Sequence, residues 1–293
     1  MKNCMLCDSI KEKEADKFFN TEYWKANTKF DGERIIATKE GDNVLLINRN
    51  GRIKNSHYSE VVMELETYDF DFIIDGEMTD QNDNFNILQK RALTTNKEKQ
   101  SELMKKYPVK YMIFDILKID SEDLREKPLN YRIKFSNLFL DGSEAFLDFA
   151  EYKSVSEMLR IAKDENREGI VIKNMNSEYE NKRSKNWVKC KFFKETELLL
   201  QKYTINNAGI RATDLNENVV QISGQQHLEV KQQIDNTGSC EVAVQYLEKG
   251  KTGRLRFPSF RGITDKQKNE MKECREDKFK FEAERESIEN GRS

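Results

Sequence analysis

Lys29-Phe30-Asp31-Gly32-Glu33-Arg34 places an amine, a carboxylate, a glycine and a guanidinium within six consecutive residues. Such a set suits attack on a phosphorus atom. A lysine amine is nucleophilic only when unprotonated, and its reference pKa of ~10.4 keeps it charged in water. Burial and neighbouring cations lower that value. Gly32 is expected to let the backbone approach a ligand closely. Arg34 is expected to fork two hydrogen bonds onto phosphate or ribose oxygens. Alone, the stretch reads equally well as a hairpin with a charged rim.

Other segments carry groups of the same chemistry. Along Trp187-Val188-Lys189-Cys190-Lys191-Phe192, strand alternation puts Lys189 and Lys191 on one face and turns Val188, Cys190 and Phe192 into packing. Two lysines on one face repel, and an anion between them would explain the arrangement; a solvated strand edge is the alternative. In Phe72-Ile73-Ile74-Asp75-Gly76-Glu77 the same alternation aligns Ile73, Asp75 and Glu77. Asp115 interrupts the apolar run Tyr111-Met112-Ile113-Phe114-Asp115-Ile116, where a carboxylate is costly unless paired or hydrogen-bonded. Glu168-Gly169-Ile170-Val171-Ile172-Lys173 reads as a helix-to-strand turn opening on an acid.

The elements that must position these groups follow from pattern. A short charged helix is expected over Asp8 to Phe19, and strands over Glu33 to Ala37 and Val44 to Arg49 around the turn Glu40-Gly41-Asp42-Asn43. Helices are expected over Ser56 to Tyr68, Asn86 to Leu93, Lys97 to Tyr107 and Pro128 to Leu140. Another over Ser154 to Arg167 opens on the capping box Ser154-x-x-Glu157. Strands are expected over Asp71 to Met78, Lys110 to Leu117, Gly169 to Lys173 and Trp187 to Phe193. Beyond about Glu195, strand-like stretches (Leu198 to Tyr203, Val219 to Ser223, Cys240 to Leu247), with a short helix near His227 to Gln233, suit a small barrel such as an OB-fold. A charged C-terminal helix is expected over Glu273 to Asn290.

Composition narrows the class. The chain has 293 residues, 35% of them charged, with a net charge of -2. This argues against a uniformly basic nucleic-acid binder but leaves room for a segregated basic face. Two acid-free islands fit such a face: residues 182 to 194, with Lys182, Arg183 and Lys185, and residues 249 to 261, with Arg254, Arg256 and Arg261. No apolar run approaches the ~20 residues that span a bilayer. Nor does the polar N-terminus read as a secretory signal. Five cysteines without such a signal suggest a reducing, cytoplasmic compartment. Cys4-Met5-Leu6-Cys7 lacks the further ligands zinc needs, so it reads as an incidental pair.

In order along the chain, these segments resemble the motifs of the ATP-dependent DNA ligases, in their minimal two-domain viral or phage form, and of the wider covalent nucleotidyltransferases. The match begins with K-x-D-G-x-R at Lys29. It continues with the arginine of Asn48-Arg49-Asn50-Gly51, D-G-E ending at Glu77, the aromatic strand with Phe114, E-G-[VI]-[MV]-[IV]-K from Glu168 to Lys173, and K-x-K at Lys189 and Lys191. Arg256-Phe257-Pro258-Ser259-Phe260-Arg261-Gly262-Ile263 resembles the segment closing the OB domain of small viral ligases, although Thr264 stands where an arginine is expected. The resemblance implies an α+β fold: a nucleotidyltransferase domain with antiparallel sheets and flanking helices over 1–194, then an all-β OB-fold domain over 195–293 with a helical tail.

It also implies residue roles. Lys29 would carry AMP, with Asp31, Lys189 and Lys191 assisting. Asn27, Phe30, Arg34, Arg49, Glu77, Phe114, Glu168, Lys173 and Arg256 would hold ATP, Phe114 by stacking on the purine. Glu77 and Glu168 would hold Mg²⁺. Arg52, Lys182, Arg183, Lys185, Arg254, Arg261, Asp265 and Lys266 would serve DNA contact or OB closure. The cations around Lys29 would favour its neutral form. The expected partner is nicked duplex DNA, bound by a monomer away from membranes. No latch-like insertion is evident between Tyr203 and Gly209. Neither an extra DNA-binding domain nor the segment of NAD-dependent ligases is expected ahead of Lys29. An RNA ligase, an mRNA-capping guanylyltransferase using GTP, and a non-catalytic OB-type nucleic-acid-binding protein are the alternatives.

Overall fold

The computed structural model describes residues 4–81, 85–140, 145–250 and 252–273. It divides into two compact units, residues 1–192 and 193–293. The expected C-terminal helix lies almost wholly outside the described residues.

The first unit holds two sheets. One is built from β3 (Glu33–Glu40), β4 (Asn43–Asn48), β5 (Phe72–Asp80), β6 (Val109–Ile119), β7 (Glu122–Asp123) and β8 (Leu147–Phe149). Its order is β4-β3-β5-β6-β7, with β8 alongside β6. The other combines β1 (Leu6–Ile10), β2 (Trp24–Thr28), β9 (Lys153–Ser154), β10 (Gly169–Asn174) and β11 (Arg183–Lys191), in the order β1-β11-β10-β2-β9. Pairing is antiparallel except for β1 on β11 and β8 on β6.

Each sheet buries one apolar face under helices. Alternation sends Ile35, Ala37, Phe72, Ile74, Met78, Ile113 and Ile116 into a core closed by Val61, Val62 and Leu65 of α1 (Ser59–Glu66) and Leu88 of α2 (Phe85–Leu93). After α3 (Lys97–Lys106) and the short α4 (Leu129–Arg132), α5 (Val155–Asp164) covers the second sheet. It does so with Val155, Met158 and Ala162 against Ala26, Ile170, Ile172, Val188 and Cys190. Ser154 caps α5 by accepting the Glu157 amide. At ~25 cal/mol per Å² of apolar surface removed from water, these faces dominate the stabilisation.

Two glycines permit close approach of chain to chain. A Cβ at Gly32 would lie 2.0 Å from the Met78 carbonyl oxygen, and one at Gly169 2.1 Å from that of Cys190. This corrects the expectation that Gly32 admits a ligand: it accommodates a neighbouring strand.

Three expectations are corrected. Asp8 to Phe19 is β1 followed by a 3₁₀ segment, Glu12–Phe18, rather than one helix. Pairing with β11 captures a stretch whose charge pattern looked helical. Pro128 to Leu140 is α4 continued as a 3₁₀ segment, Ile133–Leu138. Leu198 to Tyr203 breaks into β12 (Lys194–Leu200) and β13 (Lys202–Asn206).

The second unit adds β14 (Gly209–Thr213), β15 (Val219–Ile222), α6 (Gln226–Thr237), β16 (Cys240–Tyr246), β17 (Glu248–Lys249), β18 (Leu255–Arg256) and β19 (Ser259–Ile263). Its sheets run β12-β16-β19, β13-β14-β15 and β17-β18 around one apolar cluster that includes Leu200, Ile210, Ile222, Val230 and Val244. Gly238, at φ 85°, ends α6 in the left-handed region that glycine tolerates. Thr264 is buried; its hydroxyl donates to Glu241 Oε2 at 2.9 Å and accepts the Gln267 amide at 3.2 Å. The residue in the expected arginine's place therefore caps the helix that follows. Among the described residues no helix is long and apolar enough to cross a membrane.

Candidate active site

A cavity of about 300 Å³ opens in the first unit, at the lower end of the range for small-molecule sites. Lys29 reaches it just beyond the end of β2, its amide donating to the Gly169 carbonyl at 2.9 Å. Asn27, Phe30, Arg34, Arg49, Glu77 and Phe114, all expected from sequence, also line it. So do Lys173, Arg183, Lys189 and Lys191. Register accounts for the convergence: Asn27 stands opposite Val171, and Val171 opposite Lys189.

The Lys29 amine donates to Glu168 Oε2 at 2.6 Å, while Lys191 pairs with Glu168 Oε1 at 2.6 Å. One carboxylate thus joins both lysines. Burial opposes the charge on Lys29, but Glu168, then Glu77 and Asp31, hold the amine above its ordinary range. This corrects the expectation of a neutral amine within a cationic cage: in the nucleotide-free protein the nearest groups are carboxylates. Burial also opposes the Glu168 carboxylate, yet Lys29 and Lys191 keep it below its usual value. Lys189 is held below the lysine range by burial, with Lys191, Arg183 and Lys29 adding repulsion.

Beneath the cavity runs a buried polar network. Arg34 forks onto Asp75, Nε to Oδ1 at 2.6 Å and Nη2 to Oδ2 at 2.5 Å. Tyr179 donates to Asp75 Oδ2 at 2.6 Å and accepts the Met5 amide at 3.1 Å. The Arg34 fork is therefore engaged within the protein, where sequence had aimed it at phosphate or ribose. Asp115, fully buried, accepts from Arg132 Nε and Nη2, each at 2.7 Å, supplying the partner its strand required.

The Phe114 ring owes its direction to a register shift. Asp75 pairs with Asp115 but Gly76 with Ile113, so Phe114 is an extra residue in β6. Such bulges re-aim side chains. Phe114 consequently joins Trp187 and Met5 instead of the core beneath Ile113. Its ring meets the Arg34 guanidinium at 4.7 Å and the Lys173 amine at 4.2 Å.

Lys173 is 1% exposed and donates to the Tyr152 hydroxyl at 2.7 Å. Burial pushes its amine down to about 7. The unfolded chain thus binds that proton more readily. Stability from this group is full above the ordinary lysine value and falls as pH drops toward about 7. Lys173→Met is expected to raise the Tm of the nucleotide-free protein at neutral pH, and the gain should shrink as pH rises toward about 10. Circular-dichroism melts across that range check it; an equal change at every pH would count against the lysine charge as its source.

The remaining predicted residues sit elsewhere. Asp31 adds to the negative field at Lys29 without lining the cavity. Arg52 and Lys185 are exposed, and Lys182 pairs with Glu180 at 3.0 Å. Arg254, Arg256, Arg261, Asp265 and Lys266 belong to the second unit. There Arg254 pairs with Glu217, Arg256 with Glu248 at 3.8 Å, and Asp265 with Lys268 at 3.0 Å. Sequence reading missed Leu6, Cys7, Thr28, Val171 and Trp187 as lining residues. Trp187 could have been found, since alternation aligns it with Lys189 and Lys191.

Mg²⁺ fits the donor set. Among the described residues no cluster of three or more His, Cys, Asp or Glu forms a protein-only metal site, but Mg²⁺ is typically held by one or two carboxylates together with substrate phosphates. Glu77 and Glu168 supply such oxygens. Burial pushes the Glu77 carboxyl up to about 7 against the pull of Lys29 and Arg34, so a cation beside it would restore its charge.

A lysine amine, paired strand lysines and acids around one cavity, on this fold, define a nucleotidyl-transfer class of protein. Residues 4–191 match the model of the ATP dependent DNA ligase domain, and the chain belongs to that family. Members use ATP and a divalent metal. The prophage-derived DNA ligase-like protein LigB of Bacillus subtilis is 33% identical over 206 residues, covering 68% of this chain and 71% of LigB. DNA ligase 2 of Thermofilum pendens is 31% identical over 160 residues, covering 51% of this chain and 27% of that enzyme. The chain thus spans well under half the length of that longer relative. A solved Lig E DNA ligase, described as binding DNA with a minimal scaffold, superposes with a TM-score of 0.65 at 15% identity, covering 90% of this chain and 100% of the other. That likeness concerns the fold.

Proposed function

We propose that this chain seals nicks in duplex DNA through a lysine-bound AMP. The carrying observation is the Lys29 amine in the cavity wall, joined through Glu168 to Lys191. Lys29 gives up its proton and its nitrogen forms a bond to the α-phosphorus of ATP as the bond to pyrophosphate breaks. Lys189 and Lys191 offset charge gathering on the phosphoryl oxygens. AMP then passes from Lys29 to the 5′-phosphate at the nick, and the 3′-hydroxyl displaces it. Dividing one displacement into several is the advantage of the covalent route. Bound Mg²⁺, held by Glu77 and Glu168, would add Lewis-acid stabilisation of phosphate oxygens.

Asn27 favours adenine. Its Nδ2 donates to the Thr28 carbonyl at 2.7 Å, which fixes the amide's orientation. Its Oδ1 is buried without a partner. An unpaired acceptor suits the 6-amino group of adenine and opposes the 6-oxo group of guanine, which weighs against a GTP-dependent capping enzyme.

In this reading residues 1–194 are the adenylation domain and 195–293 an OB-fold domain, acting as a monomer in the cytoplasm. Incubation with α-labelled ATP and Mg²⁺, then a chase with nicked duplex DNA or nicked RNA, tests it. Label from ATP that moves to nicked DNA is expected. Transfer to RNA alone would make the chain an RNA ligase, and label from GTP alone a capping enzyme. DNA contact is expected to be mainly to phosphates, because a sealer accepts any sequence. Log affinity should therefore fall linearly with log salt, with a slope of about -0.9 per phosphate neutralised. A salt-insensitive gel-shift titration would contradict that.

A further inference from the structure

We propose that the Cys7 thiol is a modification site inside the nucleotide cavity, where a small anionic disulfide of the glutathione class forms a mixed disulfide and turns self-adenylation off. The effect on adenylation rests on the function proposed above; the modification itself does not.

Cys7 lies on β1 and lines the cavity partly buried, its body packed with Met5, Phe114 and Trp187. Its carbonyl accepts from Arg183, and the register sets the next residues of β1 beside Val188 and Lys189. Cationic side chains surround the thiol: Lys173, Arg183 and Lys189 line the same cavity. Electropositive, partly open surroundings are those in which thiols react, and the same cations draw an anionic reagent.

The other described cysteines are placed differently. Cys4 does not line the cavity, and burial pushes its thiol up. Cys190 and Cys240 are fully buried and pushed up to about 11 and about 12. Asn27, a residue 2% exposed, lines the same cavity, and its Oδ1 has no hydrogen-bond partner, which marks the cavity as built for a ligand.

In the reaction the Cys7 sulfur attacks one sulfur of the disulfide. A new S–S bond forms, the old one breaks, and the second half leaves as a thiolate that takes up a proton. Added thiol reverses the exchange. A tripeptide attached at Cys7 would occupy space beside Phe114 and Lys189, where nucleotide is to bind.

The full chain is treated with oxidised glutathione, mapped by peptide mass spectrometry and assayed with α-labelled ATP. The adduct is expected at Cys7, with self-adenylation reduced at least about tenfold and restored by dithiothreitol. Prior addition of α,β-methylene-ATP should slow adduct formation, whereas inorganic phosphate at equal concentration should not. For Cys7→Ser, the ratio of treated to untreated rate should stay near one, whatever its untreated rate. An adduct confined to other cysteines, or unchanged adenylation with Cys7 capped, overturns the proposal. Absence of label on the untreated protein would instead defeat the ligase reading, leaving the adduct and its protection to be judged by mass alone.

Discussion

Lys29→Ala is expected to abolish covalent capture of AMP, with label from α-labelled ATP falling by at least about 10³-fold. The geometry makes this specific. Lys191 shares the same carboxylate at the same 2.6 Å separation, so two amines compete for the role. Lys29 follows directly on β2, at the glycine-walled junction with β10, whereas Lys191 ends the strand whose partner Lys189 also faces the cavity. Non-covalent ATP binding by the variant, read by equilibrium dialysis, should remain within about tenfold of wild type if the amine serves chemistry more than affinity. The carboxylates around Lys29 also give a pH dependence. Its amine is held charged above the ordinary lysine range, so the initial labelling rate should rise across the neutral to alkaline range. Persistent label in Lys29→Ala would move the acceptor to Lys191.

Asp115→Ala should be the most destabilising single change in the first unit, by about 3–5 kcal/mol. Asp115 and Arg132 are both fully buried, and Arg132 also donates to the carbonyls of Lys127, at 2.6 Å, and Ser177, at 3.0 Å. Removing the carboxylate strands a guanidinium in a closed interior and loosens the segment leading to Tyr179. Urea unfolding followed by tryptophan fluorescence reports it, since Trp187 lies 5.8 Å from Tyr179. Pairing Asp115→Ala with Arg132→Met should recover part of the loss, because the stranded charge goes too. A drop below about 1 kcal/mol would mean water reaches the pair.

Much of the site was legible because it is carried by strands, where alternation maps sequence onto faces. Ile73, Asp75 and Glu77, and again Lys189 and Lys191, could be assigned a common side without knowing any partner. The need of Asp115 for a partner was legible in the same way, but Arg132, on a separate helical turn, was not. Propensity misread β1, because only its pairing with β11 gives those polar residues a reason to extend. The bulge that redirects Phe114 arises from a register difference between two strands, which neither strand records alone. The charge state of Lys29 was inverted for a similar reason. Alternation displays the cations Lys189 and Lys191, whereas Glu168, from a distant turn, is the group Lys29 meets.

The carboxylate bridge between Lys29 and Lys191 has a protective consequence. An ammonium has no lone pair, so the Lys29 amine held charged against Glu168 is less reactive than a free amine toward cyanate, acetyl phosphate and other stray electrophiles. Its reactivity is thereby held back until a substrate enters and displaces the carboxylate.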